Sequence, residues 1–311
     1  MARKNRKKII GFGLETSYGL DAFTPDENGV PAATMQHVLG REFSITPLAG
    51  ESQSLEYDNG AMGQSPQIMT ETYVTVEFTV DLAASNDPAK AAPWGNLMKA
   101  CLRTVEENAA QSETFYRIDE EATGSLTLYF FQSGSLHKIV GARGSVSFNA
   151  TAKQFGGIKF VFTGLFAPVV TMANPVPDFS AWVTPLKIGV QNASFTIDGT
   201  ATKLISLEYD QANQVPYQEY VGHEEVMITD YKPTATMVIE APELAQLDVF
   251  ALAQAGSEHE LVFSNGPVGN QVGWQSSQVQ FGRPTYGEQE GTQTYSIPLT
   301  VIANSDQFFT R

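Results

Sequence analysis

The chain has one cysteine in 311 residues, Cys101, which excludes a disulfide framework and any metal site built on paired cysteines. Four histidines (His37, His137, His223, His259) leave little material for metal or imidazole chemistry. Long apolar runs are missing too. Ile9–Ile10 and Phe160–Phe162 fall far short of a membrane-spanning helix, and Ile9–Leu14 is too short for the core of a secretory signal. Basic residues are scarce beyond the first eight positions. Arg3, Lys4, Arg6, Lys7 and Lys8 hold five of the 19, so residues 9–311 carry 14 bases against 34 acids, a balance of −20. A body that acidic repels a phosphate backbone, so gripping DNA or RNA is disfavoured. The basic leader reads as a solvated arm that orders on an acidic partner surface, against the plainer reading of a flexible terminus.

What is present is enough for ordinary cores: 42% hydrophobic residues, 17% charged, and a length that suits two domains. Ser54-Leu55-Glu56-Tyr57-Asp58 recurs as Ser206-Leu207-Glu208-Tyr209-Asp210. Each copy is followed by a polar stretch, a Met-Thr-Glu-Thr-Tyr or Met-Ile-Thr-Asp-Tyr segment (Met69–Tyr73, Met227–Tyr231), an alternating run, a short helical segment and further strands. The order predicts one domain of roughly 150 residues written twice. Val74–Leu82 places Val74, Val76, Phe78, Val80 and Leu82 on a buried face and Thr75, Glu77, Thr79 and Asp81 on a wet one. Thr234–Ala241 repeats this, burying Ala235, Met237 and Ile239. Helices are expected over Trp94–Arg103 and Glu243–Ala255, opened by Pro93 and Pro242. Ser125–Phe131 with Leu136–Val140, and Glu260–Phe263 with Gln271–Trp274, read as hairpins. Ser145–Phe148 with Ile158–Leu165, and Gln278–Phe281 with Thr294–Ile302, read as closing strands. Ala167–Val183, with Pro168, Pro175 and Pro177, reads as a crossover. The expected fold is mainly β: tandem duplicated β-sandwich-like domains at 1–170 and 187–311 joined by a linker at 171–186, each with a short flanking helix and a long inter-strand loop.

Catalytic patterns are missing. There is no Gly-x-Ser-x-Gly elbow, Walker loop or His-Glu-x-x-His. Gly11-Phe12-Gly13 starts like a dinucleotide turn, but Thr16 stands at the third glycine position and no strand is expected to lead into it. Asp26-Glu27-Asn28-Gly29 reads as a turn rather than a calcium loop. Cys101 is expected to be a buried, inert thiol on the first helix. The histidines are scattered singly along the sequence, and a satisfied structural or surface imidazole is expected of each. Asn149-Ala-Thr151 and Asn192-Ala-Ser194 match glycosylation acceptors, which require a secretory route. No cofactor or metal is expected.

The alternation places carboxylates on the wet faces: Glu56, Asp58, Glu77, Asp81, Glu208, Asp210 and Glu240. The plain reading is a solvated sheet. Duplication adds another, in which paired sheets from several chains close into a ring, hiding strand edges and lining a bore with negative charge. Such a bore passes an anionic polymer without binding it. The stretches Asn59–Thr72 and Gln211–Asp230 are longer than hairpins need and carry Met62, Ile68, Met69, Val215, Tyr217, Tyr220, Val221 and Val226, apolar groups suited to docking.

Gly13–Ala22 (Gly-Leu-Glu-Thr-Ser-Tyr-Gly-Leu-Asp-Ala) resembles the Glu-Thr-x-Tyr-Gly-x-Asp-Ala signature of the tail tube (major tail) proteins of long-tailed, non-contractile bacteriophages, in the subgroup with two fused tube domains. Ile45–Leu48, Ala92–Gly95, Leu136–Lys138, Gly141–Gly144, Phe162–Leu165, Val221–Asp230 and Val238–Pro242 are similar as well, in order along nearly the whole chain. The basic leader departs from that pattern. The resemblance implies a virion structural protein, not an enzyme, assembled in the bacterial host cytoplasm. It implies stacked trimeric rings of pseudo-sixfold symmetry with DNA passing through the lumen. The implied partners are further copies of the chain, a tape measure protein, and terminator or tip proteins. The seven carboxylates above become lumen candidates, and Met62, Ile68, Met69, Val215, Tyr217, Tyr220 and Val221 become ring-stacking candidates. The competing reading is a tandem β-sandwich module that binds a receptor or glycan, with Tyr217, Tyr220, Trp274 and Tyr286 beside carboxylates as its platform.

Overall fold

The computed structural model describes residues 4–25, 29–58, 60, 62–267 and 269–311. Arg3, the Asp26–Asn28 turn and Asn59 lie outside the described residues. Strands dominate. The first half contains β1 (Lys8–Leu14), β2 (Gln36–His37), β3 (Gly40–Ala49), β4 (Ser52–Ser54), β5 (Gln67–Met69), β6 (Tyr73–Asp81), α1 (Gly95–Met98), β7 (Arg103–Asn108), β8 (Glu113–Ile118), β9 (Leu126–Gln132), β10 (Ser135–Thr151), β11 (Gly157–Phe166) and β12 (Val170–Thr171). The second contains β13 (Ala193–Ile197), β14 (Thr200–Ala201), β15 (Leu204–Asp210), β16 (Asn213–Gln214), β17 (Tyr217–Tyr220), β18 (His223–Val226), β19 (Asp230–Tyr231), β20 (Thr234–Glu240), α2 (Val249–Ala255), β21 (Glu258–Asn265), β22 (Val272–Phe281), β23 (Thr285–Gln289), β24 (Thr292–Val301) and β25 (Asp306–Thr310).

The fold is mainly β, and its pairings are antiparallel throughout. In the first half the strands pair in the order β1-β9-β10-β11-β6-β3. In the second the order is β13-β21-β22-β24-β20-β15. Corresponding strands also follow one another in the same order along the chain, with a short helix between β6 and β9 and between β20 and β21. β23 carries the line of β22 onward along β24 after the break at Gly282–Pro284. Together β22 and β23 therefore match the single long strand β10.

The letter-for-letter repeat does not mark equivalent places. Ser206–Asp210 lies in β15, with Leu207 and Tyr209 buried. Ser54–Asp58 leaves β4 into irregular chain, where Glu56 has φ 44° and Tyr57 is 62% exposed. The strand that pairs with β6 is β3, so the edge position is already filled before this segment begins. At its end Gly50 (φ 119°) turns the chain away; a Cβ there would sit 2.5 Å from the Glu71 carbonyl oxygen.

Both helices are shorter than the sequence predicts. α1 is a single turn after Trp94 and ends in i→i+3 bonds from Ala100 to Leu97 and Cys101 to Met98. Leu102 then takes φ 63°, which frees Arg103 to begin β7. α2 starts not at Pro242 but at Asp248, whose carboxylate accepts from the amides of Phe250 and Ala251; it stops at left-handed Gly256. Gly11-Phe12-Gly13 is itself strand, part of β1 against β9, rather than a turn. The long loops contain small ribbons: β4–β5 in one half, β16–β19 and β17–β18 in the other.

The halves share one core. Phe148 on β10 lies 5.8 Å from the Tyr209 ring, 5.8 Å from Trp274 and 5.5 Å from Phe308, all in the second half. Among the described residues two strand pairings cross between the halves, β10 with β15 and β8 with β25, and Phe155 bridges to Lys187. The β7–β8 hairpin has no counterpart after α2, and the charged composition of Arg103–Glu113 hides it from a search for alternating apolar runs.

Candidate functional site: a continuous polar sheet face and its two open edges

The β10–β15 pairing turns two four-stranded layers into one sheet of eight strands, β3-β6-β11-β10-β15-β20-β24-β23. One side packs on the core. The other is polar, because alternation is kept along β6, β15 and β20 and along the paired parts of β10 and β11. Register sets its rows. Arg41, Thr79, Lys159, Ser147, Asp210 and Thr234 lie side by side across the strands. The next row holds Asp81, Gly157, Asn149, Glu208, Thr236 and Pro298. A concavity of about 560 Å³ lies over these rows at the junction of the halves, lined by Arg41, Lys159, Asn149, Glu208 and Asp210 among others.

Five of the seven predicted lumen carboxylates share this face. Two are neutralised by neighbours: Glu77 by Lys159 at 2.9 Å and Asp81 by Arg41 at 2.9 Å. Glu240 meets Lys203 at 2.5 Å. Glu208 and Asp210 project from β15 exposed, and no described cation lies within ion-pair distance of either. Glu42, which the sequence did not single out, joins them and accepts from the Thr79 hydroxyl at 3.1 Å. Glu56 and Asp58 do not belong to the face, because their segment lies outside the sheet. The surface is thus hydroxyl-rich and mildly acidic rather than banded with carboxylates.

β3 and β23 close the sheet at its two ends, and each pairs on one side only. β23 is exposed along its whole length. In the matching order of the halves, the unpaired side of β23 corresponds to the part of β10 that holds β15, and the unpaired side of β3 corresponds to the part of β15 that is held. The molecule contains the bond its own edges lack.

The stacking candidates gather at one end. Met62 and Val221 are completely exposed, and Ile68, Met69 and Tyr220 are largely so. Val215 is half-buried, and Tyr217 stacks on Tyr73 at 5.3 Å, drawing the loops of the two halves together. The Tyr217 hydroxyl reaches both Glu219 (3.1 Å) and Glu224 (2.9 Å), and burial together with these carboxylates pushes its pKa up. At the other end Lys4, Arg6 and Lys7 are exposed, while Lys8 enters β1 and donates to the Phe43 carbonyl at 2.8 Å.

The signature stretch near the N-terminus pins these parts together. Glu15 accepts from Ser125, Thr127 and the amides of Gly19 and Gly141. The Tyr18 hydroxyl accepts from the Val226 amide at 2.6 Å, and Arg143 stacks on the same ring while donating to the Val226 carbonyl. Asp21 takes bonds from Tyr129, Lys138, Thr24 and the Phe23 amide. Burial raises the Asp21 pKa, but these donors outweigh it and hold the carboxyl below its ordinary value.

Two constellations escaped sequence reasoning because their members are far apart in the chain. Arg103 is fully buried and donates to Gln211 (2.7 Å), the Tyr116 carbonyl (3.0 Å), Tyr209 (2.8 Å) and Asp306 (2.6 Å), spanning β7, β15 and β25. Burial disfavours its charge, yet Asp306, Tyr209 and Cys101 together outweigh it and its pKa rises. The second joins Ser257, His259 and Asp198 by contacts of 2.7 Å and 2.7 Å. His259 is thus a satisfied structural imidazole. Ser257 follows the C-terminus of α2, where carbonyls rather than amides converge, the wrong polarity for holding an oxyanion. Its evident work is to tie the β13–β14 turn, through Asp198, to β21.

Trp274 is fully buried and cannot be a sugar platform. Cys101 is buried in the turn after α1 rather than on the helix, and burial pushes its thiol far above the ordinary range. Among the described residues no group of three or more His, Cys, Asp or Glu could hold a metal ion, and no helix is long and apolar enough to cross a membrane. No family model and no curated protein matches the chain.

Proposed function

We propose that the chain is a structural tube protein that closes head-to-tail into rings, of the kind that lines the tails of long, non-contractile bacteriophages. The observation that carries this reading is the β10–β15 pairing inside the chain, taken with the open edges β23 and β3. Repeating that join between copies adds β3 of one to β23 of the next. Such a contact is heterologous, and a heterologous contact closes a ring or grows a filament according to its rotation. The repeated pairing order of the halves supports an origin by duplication and pseudo-sixfold symmetry in a trimer. Three chains of eight strands make a ring of 24. At about 4.8 Å between strands its backbone diameter is about 37 Å without tilt, and tilt widens it.

The polar face lines the bore in this arrangement. Its ion pairs hold Lys159 and Arg41 against carboxylates, so a passing phosphate finds few free cations and displaces few counterions. Transit without adhesion is the chemistry asked of such a channel, and no catalytic step is assigned. The proposed setting is a virion tail, with tape measure, terminator and tip proteins as partners beyond the chain itself. Cross-linking tests the edges. Cys101 is buried, so new cysteines report alone. Thr46→Cys on β3, combined in turn with Thr285→Cys, Gly287→Cys or Gln289→Cys on β23, should yield under oxidation a covalent ladder ending at a closed trimer. Monomer alone from every combination, at concentrations where the unmodified chain assembles, would remove the reading.

A further inference from the structure

The join inside the chain sets, residue by residue, what a second copy meets at the open edge of β3. Thr46, Ile45 and Ser44 oppose Thr75, Val76 and Glu77, just as Asp210, Tyr209 and Glu208 oppose Thr234, Ala235 and Thr236. On the other side, Ser147, Phe148 and Asn149 oppose Lys159, Ile158 and Gly157, just as Thr285, Tyr286 and Gly287 oppose Ser296, Tyr295 and Thr294. The two sets share one register, because Val80 opposes Ile158 as Ile239 opposes Tyr295. Within the chain Phe148 lies opposite Tyr209 and Ala150 opposite Leu207. Carried over to a join between copies, that register sets Tyr286 opposite Ile45 and Glu288 opposite Phe43.

The two joins differ at one pair of places. Ala150 is fully buried, whereas its counterpart Glu288 is exposed, with no described cation within ion-pair distance. Tyr286 packs on Phe250 and Tyr295 and so marks the core side of β23; Glu288, two residues on, projects to the same side. Joining carries that carboxylate to the apolar side of the sheet beside Phe43, where it needs a cation. Lys8 stands at that place. It is the first residue of β1 rather than part of the solvated leader, and its ammonium donates to the Phe43 carbonyl at 2.8 Å. Its counterpart in the second half is Ala193, because Lys8 opposes Gln132 on β9 as Ala193 opposes Asn265 on β21. Alanines thus occupy both places at the join inside the chain, and an ammonium and a carboxylate occupy them at the join between copies.

Lys8 also guards the edge. Ala152 donates to the Ile205 carbonyl and the Gln211 amide to the Val146 carbonyl, so alternate residues of β15 turn their backbone groups toward β10. Leu207 is one of these, and its counterpart Phe43 therefore turns toward the open side of β3. There the Lys8 ammonium occupies the acceptor that an added strand would use, and Pro47, two places past Ile45, offers no N–H. We propose that Lys8 caps the β3 edge of the free chain and passes to the Glu288 carboxylate of a second copy on joining, while the amide of that Glu288 takes over the Phe43 carbonyl. The exchange makes the edge selective, since a strand with no carboxylate at that position leaves the ammonium buried and unpaired. The inference rests on the tube reading for the lateral join. Its own ground is the pair of side chains by which that join differs from the one inside the chain.

The test uses the full chain carrying Thr46→Cys and Thr285→Cys, which this register sets directly opposite each other, with the oxidised covalent ladder as the readout. Into it go Lys8→Glu, Glu288→Lys and the two together, and circular dichroism checks that each form is folded. Either reversal alone should cut the ladder by about tenfold or more, and the combined form should restore it. Mixing the two single reversals should regain covalent dimers, because opposite charges then meet, but not closed trimers, because an odd ring forces one like-charged join. The milder Lys8→Gln and Glu288→Gln should each thin the ladder as well, and they decide the matter if a reversed form does not fold. A combined form no better than its singles, a mixture without dimers, or full ladders from both glutamine variants overturns the proposal. A ladder that forms only with Gly287→Cys or Gln289→Cys in place of Thr285→Cys overturns the register, and the proposal with it, but spares the tube reading. No ladder from any of these pairs before reversal removes both.

Discussion

Arg103 offers the sharpest test of how the two halves are held. Its guanidinium and the Asp306 carboxylate are both completely buried, 2.6 Å apart, with Gln211 and Tyr209 completing the donor pattern. Arg103→Met removes the cation but leaves the carboxylate, whose second oxygen already has no partner among the described residues. Breaking one member of such a pair costs about 3–5 kcal/mol, because an uncompensated buried charge remains. Replacing both members by apolar groups of similar volume is often neutral, so Arg103→Met/Asp306→Leu should recover most of the loss. Arg103→Lys keeps the charge but cannot reproduce the forked donors to Gln211 and the Tyr116 carbonyl, and should fall between. Urea unfolding of the unmodified chain, Arg103→Met, Asp306→Leu and the double variant gives the cycle, with Arg103→Lys measured beside them. A loss below about 1 kcal/mol for Arg103→Met, or a double variant as unstable as the sum of its singles, would refute the role given to this pair.

Two further outcomes are expected. Asp21 has a folded-state pKa held below its unfolded value, so the stability it contributes is present above the unfolded pKa, near 4, and is lost as pH falls through the folded one. Asp21→Asn should therefore lower stability at neutral pH and flatten the acid limb of the stability profile, read by thermal melts from pH 7 to about 2; an unchanged acid limb would contradict the assignment. Glu208→Lys/Asp210→Lys places two free cations per chain on the polar face and should slow DNA release from particles carrying it, because phosphates gain sites at which to displace counterions. Unaltered ejection kinetics would count against that face as the bore.

Much of the sheet was legible because alternation is strict where one face is buried. β6 and β20 bury the residues that their period predicts, Val74 to Val80 and Ala235 to Ile239. The order of strands around each helix was readable for the same reason. The five-letter repeat misled, since local sequence does not say whether an edge position is already occupied, and β3 had taken it. Glu56 and Asp58 were placed on the face through that repeat and fell with it. Pairings between strands more than fifty residues apart, such as β10 with β15 or β8 with β25, leave no periodic trace. The Arg103 network was invisible for a related reason: an arginine at a helix exit reads as surface until its distant carboxylate is known. Neutralisation of Glu77 and Asp81 depended likewise on β11 and β3 bringing Lys159 and Arg41 alongside.

The central claim is that the in-chain join of β10 to β15 is the join between copies. Electron microscopy of the concentrated, purified protein tests it most directly. Hollow rods of uniform width with threefold-symmetric cross-sections, their wall continuous through β23 and β3, are the predicted result. Discrete particles with both of those edges still bare would contradict it.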